Sequence, residues 1–367
     1  MTSLFAAVKP GHALMGFAIA WLSLAAAFSA AQAPAASDIA AAPSPEAKPP
    51  VDLALVLPLQ APAYARAAEA VSAGFAAAAG AAGGRVSYVV IPHGDDGVLT
   101  AFEAARKSGA KVIVGPLVRD DLRAIAQMYT ELPWTLALNQ AEDTGAGPAQ
   151  LFTFSLTVEG DAHTIARRMR DDAAQNVAIV VAETPLMKRF AGAFSGEWQA
   201  GGGSAPNSFR FDPAPEALKV LKRDFARKAP DVALLAVSGA DASLLKPYLG
   251  TVSAYASGLG FDRDAGATLR DLDGLTIVEI PWLVTPGAPE FAKLPRRDFG
   301  NLSLERLYAL GLDAFRIARA MMDGPPDKFV LDGATGRVTL AEGRQFMREG
   351  RLAIYRAGQL VPLDGGR

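Results

Sequence analysis

The strongest constraint on this chain is a rhythm that begins at Val51. Short, continuous apolar runs alternate with segments of helical periodicity, and Gly or Pro marks most of the changes. Val51–Leu57 (VDLALVL) has the length of a strand buried on both faces, and Arg85–Ile91 (RVSYVVI), Lys111–Val114 (KVIV) and Trp134–Leu138 (WTLAL) read as the strands that follow. The intervening stretches Ala65–Ala82, Val98–Lys107 and Asp120–Tyr129 read as helices, with Asp120 or Asp121 available as a cap. Strand–helix alternation of this kind predicts parallel βαβ units in a doubly wound sheet.

The rhythm restarts at Phe152–Leu156 (FTFSL). Strands follow at Asn176–Val181, Asn207–Phe211, Asp231–Val237, Val252–Ser257 and Leu275–Ile280, with helices near Glu159–Asp172, Met187–Ala200 and Glu216–Lys228. Ser303 can cap a long helix over Leu304–Met322. Beyond it, Gly333–Leu340, Arg351–Tyr355 and Gln359–Leu363 read as an antiparallel tail. The expected fold class is α/β, with two Rossmann-like lobes. Residues 51–153 with about 283–330 would form lobe 1, and residues 154–282 with about 331–367 would form lobe 2.

The first residues read as an address. An apolar stretch, Ala13–Phe28, follows Lys9 and is shorter than a comfortable bilayer span. Ser29 and Ala31 suit positions −3 and −1 of a signal-peptidase site, so residues 1–31 are expected to be a signal peptide, with retention as an anchor the alternative. Residues 32–50, rich in Ala and Pro, are expected to be a disordered linker. Export to the periplasm follows. The chain has no cysteine, which excludes disulfides, thiolate catalysis and lipid attachment through an N-terminal cysteine. With 36 basic against 38 acidic residues and no long basic run, nothing points to nucleic acid.

Several segments resemble a known family. VDLALVLPL, VIVGPLVRDD followed by LPWTLALN, FTFSLTVEGDA and the closing GATGRVTL stretch are similar to type I periplasmic binding proteins. GPLVRDDL, LALNQ, FTFSLTVEGDA with RRM after it, LDGLTIVEIPWLV and RLYALGLDAFRIA resemble, within that superfamily, the LpoA/LppC-type penicillin-binding protein activators. The resemblance spans nearly everything from Val51 onward. It implies the type I periplasmic-binding-protein fold and a non-enzymatic regulator that binds and activates a bifunctional penicillin-binding protein in peptidoglycan synthesis. The alternative is the solute-binding receptor of an ABC transporter, with an unidentified small ligand held between the lobes.

Catalytic signatures are scarce. His93 and His163 lack metal-ligand spacing and are expected at the surface or as caps. There is no G-x-S-x-G elbow and no G-x-G-x-x-G after a strand. Ser243 and Lys246 match S-x-x-K without its companion motifs. The pairs Asp95-Asp96, Asp120-Asp121 and Asp171-Asp172 fall at turns and helix ends, where capping or solvation accounts for them. No cofactor, metal or catalytic residue is expected. The candidate interlobe cleft comprises Pro58, Leu59, Gly115, Pro116, Arg119, Asn139 and Trp282. Trp282 joins this set because it follows Pro281 at a lobe crossover, whereas Trp198 is expected in the core.

Overall fold

A computed structural model describes residues 50–140, 147–262 and 269–363. The expected signal peptide and, apart from Pro50, the expected linker lie outside the described residues.

Lobe 1 begins with β1 (Leu53–Leu57), α1 (Ala65–Ala81), β2 (Tyr88–Pro92), α2 (Val98–Lys107), β3 (Val112–Val114), α3 (Arg119–Met128), β4 (Trp134–Ala137) and β5 (Leu151–Phe154). The five β1 residues are all fully buried, but on two different faces. Leu53, Leu55 and Leu57 pack with α1, while Ala54 and Val56 pack against Phe102 of α2 and Leu122 and Ile125 of α3. Helices on both faces explain why the strand reads as an unbroken apolar run.

Lobe 2 contains α4 (Val158–Asp171), β6 (Val177–Val181), α5 (Pro185–Ala200), β7 (Asn207–Arg210), α6 (Pro215–Lys228), β8 (Val232–Ala236), α7 (Gly239–Leu245), β9 (Ser253–Ser257) and β10 (Leu275–Glu279). One helical turn, α8 (Pro281–Val284), then leads back to lobe 1 and to α9 (Leu302–Ala320). The helix α9 starts earlier than expected. Asn301, not Ser303, is its cap and accepts from the Leu304 amide at 3.0 Å. It crosses α1 at a pair of glycines. A Cβ on Gly74 would fall 1.9 Å from the Tyr308 carbonyl oxygen, and one on Gly311 would fall 2.1 Å from that of Val71. Only two residues without side chains allow the backbones this close.

The tail is divided between the lobes. After α9 come β11 (Val330–Asp332), β12 (Arg337–Ala341), β13 (Gln345–Glu349), β14 (Arg351–Arg356) and β15 (Gln359–Pro362). The first sheet runs β11-β12-β13-β5-β4-β3-β1-β2 and the second β15-β14-β10-β9-β8-β6-β7. This corrects the expectation that residues 331–367 all belong to lobe 2. β13 pairs in parallel with β5, and Phe346 is buried in the lobe 1 core beside Phe152. The chain therefore enters lobe 2 only at Gly350, where β14 pairs antiparallel with β10. Three crossings join the lobes: 155–157, 280–281 and 350.

Candidate functional site

The first crossing leaves the C-terminal end of β5 and enters α4, whose N-terminus lies at the C-terminal edge of the second sheet. Both lobes therefore turn the C-terminal ends of their parallel strands toward the junction, the edge where ligands bind in open α/β sheets. Pro58 and Leu59 follow β1, Gly115, Pro116 and Arg119 follow β3, and Asn139 follows β4. Because β1, β3 and β4 are neighbours, the topology brings these six residues to one edge.

Their chemistry is mostly turned inward. Pro58, Gly115 and Pro116 are buried. Gly115 has φ +112°, and a Cβ there would meet the Val56 carbonyl oxygen at 2.1 Å, so the turn requires glycine. The Gly115–Pro116 peptide is cis. Asn139 donates from Nδ2 to the Leu117 carbonyl at 2.9 Å and accepts from the Gln140 amide at 2.8 Å. That carboxamide braces one edge loop against the next. Arg119 opens α3 and is half-buried, and its side chain has no hydrogen bond or ion pair among the described residues.

Trp282 is corrected by the structure. It is 1% exposed in the lobe 1 core, stacked beneath the Arg296 guanidinium at 3.4 Å and packed on Phe291 and Tyr308. Its backbone N–H bonds the Ala334 carbonyl, which ties the crossing to the tail of lobe 1, and its indole packs within the lobe 1 core. Trp198, by contrast, is in the core as expected.

His93 is also not at the surface. It follows β2 with 3% exposure, its Nδ1 lies 2.8 Å from the Gly94 carbonyl, and its Nε2 lies 3.8 Å from Asp121 Oδ2 without a hydrogen-bond partner. Burial pushes the Asp121 carboxyl up, the nearby His93 draws it down, and Asp120 and Asp95 add to the rise. Asp120 and Asp121 occupy the first turn of α3, but neither caps it; the cap position is Val118. Their charge still suits the positive helix end. His163 is half-buried on α4.

On the lobe 2 side, Arg189 of α5 donates to Glu159 Oε1 of α4 from Nε at 3.0 Å and from Nη2 at 2.8 Å. Thr184 caps α5, and Ser238 caps α7. Ser243 and Lys246 share no hydrogen bond among the described residues. No cluster of three or more His, Asp or Glu side chains suited to a metal occurs among the described residues. Among them, too, no helix is long and apolar enough to cross a membrane.

Sequence reasoning missed the junction's most distinctive chemistry. Arg306 of α9 and Glu279 at the end of β10 form a pair, each side chain 2% exposed, with Nη2 2.6 Å from Oε2. Arg348 of β13 reaches Asp161 of α4 at 3.0 Å, and both side chains are 1% exposed. No periodic signal marks these charges as buried, because hydrophobic patterning scores only the apolar positions around them.

The family model described as "LppC putative lipoprotein" matches residues 29–222 and 218–358. A curated relative, penicillin-binding protein activator LpoA of Mannheimia succiniciproducens, is 27% identical over 278 residues, covering 73% of this chain and 48% of its own length. The chain thus spans about half the length of the curated relatives it matches. Among solved structures, a Chromobacterium violaceum protein described as a putative branched-chain amino acid ABC transporter is 31% identical, with a TM-score of 0.73 over 83% of this chain and 99% of that one. The C-domain of LpoA from Haemophilus influenzae, described as a regulator of PBP1A, is 22% identical, with a TM-score of 0.71 over 85% of this chain and 99% of that domain. These likenesses give the two-lobed type I periplasmic-binding-protein fold, and the family match across both lobes shows that the chain belongs to the LppC family.

Proposed function

We propose that this chain is a non-enzymatic regulator in the periplasm that binds a bifunctional penicillin-binding protein and activates it in peptidoglycan synthesis. The observation that carries this reading is the match, over 73% of the chain, to relatives named penicillin-binding protein activator LpoA. The inward-turned edge supports it, because the Asn139 amide is committed to Leu117 and the Trp282 indole to the core. Activation would be allosteric, with the chain binding one conformation of the synthase more tightly than the other.

The test is binding of the chain from about Gln32 onward to its host's bifunctional penicillin-binding protein, read together with glycan polymerisation and crosslinking. Saturable binding with faster synthesis is the expected result. Binding without any change in either rate would overturn the activator reading.

The likeness to the Chromobacterium violaceum protein favours a second reading, a solute-binding receptor. A branched-chain amino acid at a hundredfold excess over its dissociation constant would then stabilise the chain by about 2.7 kcal/mol. A melting temperature unmoved by leucine, isoleucine and valine removes the amino-acid form of this reading.

A further inference from the structure

We infer that the two lobes form one fixed body, locked by a buried cluster of four charges, and do not open and close around the junction. The inference does not rest on the activator reading, since it is argued from the buried charge pairs alone.

Two-lobed binding proteins move by hinge closure when only a few loop residues connect the lobes and can absorb the rotation. Here two of the three crossings are flanked by side-chain ties between the lobes. Arg306 belongs to a lobe 1 helix, yet its Nε lies 3.1 and 3.2 Å from the two carboxylate oxygens of Glu279 in lobe 2. Its Nη1 donates to the Phe261 carbonyl at 2.8 Å, and Glu279 Oε1 accepts from the Ile280 amide within the second crossing. Arg348 belongs to a lobe 1 strand, yet its Nη2 donates to the Thr157 carbonyl of the first crossing at 3.1 Å as well as to Asp161. Asp161 in turn accepts from Ser257 Oγ of β9 at 2.5 Å. The backbones leave no slack: a Cβ on Gly160 would lie 2.5 Å from the Arg348 carbonyl oxygen.

A third tie lies at the N-terminus of α9. The carboxylate of Asp262 in lobe 2 accepts from Asn301 Nδ2 at 3.0 Å, the Leu302 amide at 3.1 Å and Ser303 Oγ at 3.3 Å. Rotating the lobes apart would draw guanidinium groups away from carboxylates whose side chains are only 1–2% exposed. Unpaired buried charge is among the most destabilising things a protein can contain. A ligand shifts a conformational equilibrium only by its differential affinity for the two states, so a ligand at the junction would have to overcome all three ties.

The absence of cysteine makes the test direct. Spin labels placed through Gln60→Cys and Leu186→Cys, both exposed and one on each lobe, report the distance across the junction by pulsed electron resonance. The expected result is one narrow distance distribution that does not move with saturating leucine. The paired substitution Arg306→Met with Glu279→Leu removes both charges together and leaves apolar volume; it is expected to broaden the distribution or add a second distance. Should that variant fail to fold, Asp262→Ala releases the outer tie and carries the same expectation. Two populated distances in the parent chain, a shift above about 2 Å with leucine, or a distribution unchanged in the released variants would each overturn the inference.

Discussion

Gly311→Ala tests the packing of lobe 1 through a single added methyl group. The new Cβ would lie 2.1 Å from the Val71 carbonyl oxygen and 2.9 Å from the Phe75 backbone nitrogen. An ordinary carbon–oxygen contact is about 3.3 Å, so α1 and α9 must part by roughly 1.2 Å at the crossing. A gap of that order forfeits about half of the dispersion attraction along the seam. The atoms that must yield are backbone, which places the overpacking cost near the upper part of its usual range, about 3 kcal/mol. Alanine recovers about 1 kcal/mol of helix propensity over glycine, leaving a net loss of about 2 kcal/mol. The folded unit, Pro49–Arg367, has an unfolding entropy of about 0.7 kcal/mol/K, so its melting temperature should fall by about 3 °C. Gly192→Ala on α5 is the control. That glycine is exposed with no atom within 4 Å of an added Cβ, so the same change should raise stability by up to about 1 kcal/mol. Scanning calorimetry of both variants reads the two signs. A Gly311→Ala protein as stable as the parent would refute the claim that the helices meet backbone to backbone.

Further outcomes follow from buried and hydrogen-bonded groups. Trp282→Ala should cost about 3–5 kcal/mol in urea unfolding, the range for a buried aromatic in a packed core, and a near-neutral result would return Trp282 to the junction surface. Asp313 is buried and accepts from the Ala334 and Thr335 amides and from Thr335 Oγ1. Asp313→Ala leaves these donors unsatisfied at about 1–3 kcal/mol each, and limited proteolysis should find the tail after Gly324 newly sensitive. Asp52 accepts from the Ser87 amide and hydroxyl and lies near Lys111, which together hold its carboxyl below its ordinary value. Its contribution to stability is therefore complete above the unfolded value of about 3.9 and is lost as pH falls through the depressed folded value. Asp52→Asn should destabilise the chain at neutral pH, and the difference from the parent should close on the acid limb of the unfolding curve; a difference independent of pH would contradict this.

Most helices and strands up to β10 were legible in the residue string, although the short helices α7 and α8 were not. A strand such as Leu53–Leu57 is apolar at every position because helices cover both of its faces, so burial is written directly into the residue string. The loops after β1, β3 and β4 were legible as one edge for a related reason, since parallel strands in register end together. The tertiary structure alone decided the rest. Gln345–Glu349 carries two apolar residues among polar ones, so local pattern could not assign it to the first sheet; its parallel pairing with β5, nearly two hundred residues earlier, did. Proline and tryptophan at a crossover look the same in sequence whether the indole faces a cleft or a core, and the stacked Arg296 and the Ala334 carbonyl settled it for Trp282. The Arg306–Glu279 and Arg348–Asp161 pairs join residues 27 and 187 positions apart. A charged side chain carries no local sign of its partner, because the attraction that keeps it buried exists only after the fold has brought the two together.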